Sequence, residues 1–119
     1  MEKKINILYV DDEQINLLLF EANLKDKFEI ILAENAMNAL KIVADNKDID
    51  VIISDMKMPF MNGVAFIKKA KFELPDAKYY ILTGYGMTDE IKEAMDEGLV
   101  LKKFDKPFKI NEIVSEIEK

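Results

Sequence analysis

Apolar residues in this chain gather in five short runs: INILYV (5–10), FEIILA (28–33), IDVIIS (49–54), KYYIL (78–82) and LVLKKF (99–104). Most are continuously apolar rather than alternating, the pattern of strands covered on both faces of a parallel sheet. The segments between them carry helical spacing. Residues 14–26 set Ile15, Leu18, Leu19 and Ala22 on one face, and 36–46 align Ala36, Ala39, Leu40 and Val43. GVAFIKKAKFEL (63–74) reads as a third helix stopped by Pro75. TDEIKEAMDEG (88–98) opens on cap-competent Thr88 with an acidic first turn and closes at Gly98. The last, 109–118, lines up Ile110, Ile113, Val114 and Ile117. Strand and helix alternate five times, which predicts a (βα)5 α/β domain: a doubly wound, parallel five-stranded sheet with helices on both faces.

Ligands of such sheets bind outside the carboxyl ends of the strands, where the strand order reverses. The residues that follow each run are therefore the candidates. The first is followed by Asp11, Asp12 and Glu13, the third by Asp55, Met56 and Lys57, the fourth by Thr83, Gly84 and Tyr85, and the fifth by Asp105, Lys106 and Pro107. After the second comes ENA (34–36), which reads as helix capping. With strand order 2-1-3-4-5 the first and third strands are central neighbours. Asp11, Asp12 and Asp55 then converge, and Thr83 and Lys106 reach in from the next two strand ends.

Composition narrows the chemistry. The chain has 119 residues, 50% hydrophobic and 34% charged, which suits one compact globular domain spanning 1–119. It lacks cysteine and histidine, so disulfides, thiolate or imidazole metal sites and Ser-His catalysis are all excluded, and a cytoplasmic address fits best. MEKKIN at the N-terminus has no signal-peptide character, and no apolar run approaches the roughly 20 residues that span a bilayer. A net charge of −6 argues against direct contact with nucleic acid or anionic membrane.

Taken singly, each candidate has an ordinary structural role. Asp11-Asp12 suits a helix N-cap, Asp55 and Thr83-Gly84 suit turns, and Met56, Met58, Met61 and Met87 suit packing. Taken together, polar groups fitted to one task occupy four of five strand ends. Three converging carboxylates repel one another unless a proton or a cation intervenes. An all-oxygen site selects a hard ion such as Mg²⁺, with Mn²⁺ as a substitute. A carboxylate beside that ion, an ammonium and a hydroxyl is equipped to receive a phosphoryl group. Asp55 would attack, Lys106 and the metal would neutralise charge, and Thr83 would hydrogen-bond a phosphoryl oxygen.

YVDDE (9–13), DMKMPFMNG (55–63), LTGYG (82–86) and KPF (106–108) stand in the order and spacing of a known family. The whole chain resembles the receiver domain of two-component response regulators. The resemblance implies a flavodoxin-like fold with Asp55 as phospho-acceptor. It implies that Asp11 and, more directly, Asp12 hold Mg²⁺ together with Asp55 and the backbone carbonyl of Lys57. Lys106 and Thr83 would contact the phosphoryl group, with a cis bond between Lys106 and Pro107. The domain would be a signalling module rather than an enzyme. Its phosphate donor would be a histidine kinase or a histidine phosphotransfer protein, and its target a downstream protein or an output domain. The face made by the fourth helix, fifth strand and fifth helix would be the output surface, a place where homodimers also form.

The switch and modulating positions are then Lys57, Gly84, Tyr85, Lys103 and Pro107. Lys57 and Tyr85 flank the expected phosphoryl site and would screen an acyl phosphate from water. Lys103 occupies a position three before the lysine that is usually aromatic, while Phe104 faces the other side of the strand. Either Lys103 stays at the surface and serves recognition, or Tyr85 takes over part of the switch.

Three other readings compete. An aspartate-nucleophile phosphohydrolase usually shows Asp-x-Asp-x-Thr after the first strand, where residues 11–15 are Asp-Asp-Glu-Gln-Ile. A flavin or nucleotide carrier needs a phosphate-cradling loop there, and three acids oppose it. A degenerate receiver serving only as a docking module would not need its full set of acceptor and metal residues.

Overall fold

The computed structural model describes residues 3–119. The first two residues of the N-terminal MEKKIN stretch lie outside it. Ten elements alternate along the chain: β1 (Asn6–Val10), α1 (Gln14–Leu24), β2 (Glu29–Ala33), α2 (Ala36–Asp45), β3 (Val51–Asp55), α3 (Gly63–Glu73), β4 (Lys78–Thr83), α4 (Asp89–Asp96), β5 (Lys102–Asp105) and α5 (Ile110–Glu118). The strands form one sheet in the order β2-β1-β3-β4-β5, every pairing parallel. This is the flavodoxin-like arrangement expected from the alternation.

The continuous apolar runs have the anticipated cause. Successive side chains of a strand point to opposite faces, and each face has its own core. Leu8, Val10, Ile52 and Ile81 pack with Ala39, Val43, Phe66, Ile67 and Ile91 on one side of the sheet. Ile7, Tyr9, Ile53, Leu82 and Phe104 pack with Leu17, Phe20, Leu24, Ile113 and Ile117 on the other. Helix starts follow the capping chemistry of the sequence: Asn35, Asn62 and Thr88 accept backbone N–H bonds at the heads of α2, α3 and α4.

Two elements correct the expectation. The stripe of α1 read as one face, Ile15, Leu18, Leu19 and Ala22, points to solvent. Ile15 is 60% exposed and Leu18 53%, whereas Leu17, Phe20 and Leu24 are buried. The helix is apolar nearly all round, so periodicity alone did not select its inner face. The fifth strand begins at Lys102 rather than Leu99. Gly98 adopts φ +78°, and the N–H groups of Leu99 and Val100 turn back to the Ala94 carbonyl, so this apolar pair closes the end of α4.

The β3–α3 loop is shaped tightly. A Cβ on Gly63 would stand 2.4 Å from the Asp55 carbonyl oxygen and 2.9 Å from Ile81 Cδ1, so only glycine lets α3 start this close to the end of β3. Phe60 sits at φ +71°, and the Met61 N–H bonds the Pro59 carbonyl across it at 2.8 Å, which makes a γ-turn that leaves the Phe60 ring fully exposed.

Candidate functional site

Strand register brings the predicted residues together. β1 and β3 are adjacent, with Val10 opposite Ser54, so Asp11, Asp12 and Asp55 leave the sheet side by side. One carboxylate oxygen from each lies within 4.8 Å of the others. Asp11 and Asp55 are buried and Asp12 is exposed. β4 and β5 supply the rest, since Thr83 is buried at the tip of β4 and its carbonyl accepts the Lys106 N–H at 2.9 Å.

Lys106 is the hub of the charges. Its Nζ lies 2.8 Å from Asp11 Oδ2 and 3.2 Å from Asp55 Oδ2. Asp11 Oδ2 also accepts a 2.6 Å hydrogen bond from the Tyr9 hydroxyl, and Asp11 Oδ1 accepts the Glu13 N–H at 2.9 Å. Asp11 thus receives three donors and is rigidly oriented, while Asp12 takes no part in these bonds. No buried side-chain polar atom among the described residues lacks a partner.

The electrostatics follow from this crowding. Burial, then the Asp11 charge, push the Asp55 carboxyl from 3.8 up to about 6, against the downward pull of Lys106. Burial depresses Lys106, but bonds to Asp11 and attraction from Asp55 outweigh it and leave its pKa raised. Burial first, and Asp11 second, hold Tyr9 well above its ordinary value, so it stays a donor.

The donor set suits a hard divalent cation. It contains carboxylates only, has an exposed member at its mouth, and carries more negative charge than one lysine cancels. Thr83 Oγ accepts the Tyr85 N–H at 3.1 Å, which leaves its own proton free for an incoming anion. The Lys57 ammonium lies 4.4 Å from the centroid of the Tyr85 ring, so these two residues form one cation–π unit.

Three sequence expectations take definite form here. The Lys106–Pro107 peptide is cis. A Cβ on Gly84 would meet Lys106 at 3.8 Å, an ordinary contact, so Gly84 is not required by space. The Lys103 side chain is only 14% exposed and bonds Asp105 at 2.5 Å, so it does not stand free at the surface. It lies opposite Ile81 in the register, while Phe104 is buried on the other face.

One member of the site escaped the sequence reading. Tyr9 lies two residues before Asp11, and that spacing on a strand puts both on the same face. The signal was available, but a tyrosine in an apolar run reads as core. It is core as well, stacked on Phe20 with centroids 4.2 Å apart.

A family model described as the response regulator receiver domain matches residues 7–118. Sporulation initiation phosphotransferase F of Bacillus subtilis (strain 168) is 37% identical over 114 residues, covering 95% of this chain and 90% of that protein. The DNA-binding transcriptional regulator NtrC of Escherichia coli (strain K12) is 30% identical over 119 residues, but this chain spans only 25% of its length. Among solved structures, a response regulator receiver domain protein from Clostridium thermocellum is similar at a TM-score of 0.84 and 33% identity, over 92% of this chain and 87% of that one.

Proposed function

This chain belongs to the response regulator receiver domains, and from that premise we propose that it accepts a phosphoryl group on Asp55 within a two-component phosphorelay. The observation that carries the reading is the placement of Asp55: it ends a wholly buried strand, 3.2 Å from the Lys106 ammonium and beside Asp11 and Asp12.

The residues divide the work as their positions allow. Asp55 is ionised at neutral pH, since about 6 is still below it, and its Oδ is the nucleophile. β3 holds that oxygen rigidly for in-line attack on phosphorus. Lys106 follows the charge from the carboxylate to the phosphoryl oxygens. The free Thr83 proton binds one of those oxygens without disturbing the Tyr85 N–H. Asp12, Asp55 and the Lys57 backbone carbonyl would hold Mg²⁺, or Mn²⁺ in its place, with Asp11 behind them. When bound, that ion neutralises charge on the transferring group.

The partner surface has physical support. Ile15, Leu18 and Leu19 of α1 and Ile110 of α5 are large exposed apolar residues. Leu19 and Ile110 line a cavity of about 200 Å³ together with Asn16, Asn23, Lys106, Pro107 and Phe108, so a mixed apolar and amide surface runs up to the charged site. A histidine kinase or histidine phosphotransfer protein would dock there and present its phosphohistidine to Asp55. The α4–β5–α5 face would read out the change to a downstream protein, an output domain or a second copy. Residues 1–119 serve as one receiver domain in the cytoplasm. No helix among the described residues is long and apolar enough to cross a membrane.

The test is intact mass after incubation with acetyl phosphate and Mg²⁺. The parent gains one phosphate and Asp55→Asn gains none. Equal gain in both would defeat the reading. Sustained turnover of small phosphate esters would favour the phosphohydrolase instead.

A further inference from the structure

Asp11 Oδ2 has two donors among the described residues, and only one of them can move. The Tyr9 hydroxyl lies 2.6 Å away on a ring that is wholly buried and stacked on Phe20 at 4.2 Å, with Phe108 against the other side of Phe20. Packing fixes that oxygen in place. Lys106 Nζ lies 2.8 Å away at the end of a flexible four-carbon stem, and its side chain is 18% exposed. Its other acceptor is Asp55 Oδ2 at 3.2 Å.

We propose that Tyr9 is a positioning residue for phosphoryl transfer: it keeps Asp11 satisfied while Lys106 swings from Asp11 to the new phosphoryl oxygens. The inference rests on Asp55 being the acceptor. Before transfer the ammonium is shared between two carboxylates. A phosphoryl group brings up to about two negative charges on oxygens beyond Asp55, and the ammonium is drawn towards them. Its departure takes a donor from a carboxylate with no exposure to water, and a buried charge short of donors is costly. The Tyr9 hydroxyl stays behind on the same oxygen. No bond to hydrogen forms or breaks. Lys106 keeps its three protons and Tyr9 keeps its one, and only the acceptor of Lys106 changes.

Tyr9→Phe separates the two states. At rest Lys106 and the Glu13 N–H still hold Asp11, so the affinity for Mg²⁺, measured by calorimetry with no phosphate donor, should change little. Once Lys106 leaves, Asp11 Oδ2 has neither donor, and a hydrogen bond to a charged group is worth about tenfold or more. Water reaching in from the cavity of about 200 Å³ beside Tyr9 and Lys106 keeps the effect at the low end.

The rate of mass gain from acetyl phosphate at saturating Mg²⁺, per folded molecule, should therefore fall about tenfold in Tyr9→Phe. Binding of beryllofluoride, an unreactive phosphoryl mimic, should weaken by the same factor. In a Lys106→Ala background the substitution should alter neither, because Asp11 then lacks the ammonium in both states. Tyr79→Phe is the control for folding. It removes an equally short buried bond, 2.6 Å to the Leu74 carbonyl, at the end of β4 away from the site, and should keep the parent rate.

A Tyr9→Phe rate within about twofold of the parent overturns the inference and leaves phosphorylation of Asp55 intact. So does an equal loss in the Lys106→Ala background, or a loss of Mg²⁺ affinity as large as the loss of rate, the mark of a contact that merely orients Asp11. A parent that gains no phosphate sinks Asp55 as acceptor, and the role of Tyr9 with it.

Discussion

The Tyr9 hydroxyl and the Asp11 carboxylate are joined by a 2.6 Å hydrogen bond inside the protein, on the same oxygen that receives Lys106 at 2.8 Å. Tyr9 therefore shares with Lys106 the task of keeping a buried charge in place, and Asp11 in turn fixes the β1–α1 loop through the Glu13 N–H. Tyr9→Phe keeps the stacking on Phe20 but withdraws one donor from a charged acceptor. It should lower unfolding stability by about 2 kcal/mol, measured by urea denaturation in the absence of divalent ions.

Asp55 makes stability depend on pH in a definite direction. Its native pKa of about 6 exceeds the ordinary 3.8, so as pH rises the unfolded chain releases this proton first. Between those values the native state holds more protons, and the contribution of this group to stability falls, then stays level above about 6. Asp55→Asn lacks the decline. Without metal it should match the parent below pH 3.8 and exceed it by roughly 2 kcal/mol at neutral pH, a figure reduced for water reaching the site. Melting curves across this range check it.

Gly63→Ala should damage the site from outside it. The added Cβ meets the Asp55 carbonyl at 2.4 Å, which is backbone and cannot swing aside. The β3–α3 loop must shift, at a cost of about 2 kcal/mol. Phosphorylation by acetyl phosphate should slow more than the loss of folded protein explains, because the Lys57 carbonyl moves with the loop. Rates measured at a temperature where the variant is still folded separate the two effects.

Lys57→Asn removes the cation held over Tyr85 at 4.4 Å. If the pair screens the acyl phosphate, the variant should lose phosphate several-fold faster than the parent. A single-turnover decay followed by mass would show it, and an unchanged lifetime would remove this role from both residues.

The Lys103–Asp105 pair changes the question that the sequence posed. Surface recognition and a switch through Tyr85 were the options, but Lys103 is largely covered and engaged with a neighbour two residues along its own strand. β5 is the edge strand of the sheet, and a charged pair on an edge strand discourages pairing with another sheet. That structural contribution stands beside both options, and the pair leaves Tyr85 as it was.

What the chain alone determined is the order of elements and the contents of the strand ends. Both are local: five apolar runs, the helical spacing between them, the caps at Asn35 and Thr88, and polar residues placed where each run stops. A parallel sheet collects its strand ends on one edge, so Asp11, Asp12, Asp55, Thr83 and Lys106 were legible together. Tertiary structure decided what depends on neighbours distant in sequence. It chose the buried face of α1, because a helix apolar on all sides carries no internal preference and only the position of the sheet selects Leu17 and Phe20 over Ile15 and Leu18. It gave Leu99 and Val100 to the end of α4, because backbone bonds to Ala94 compete with the strand ladder. It recruited Tyr9 and divided Lys106 between two carboxylates, because a buried charge takes its partners from whatever donors packing brings within about 3 Å.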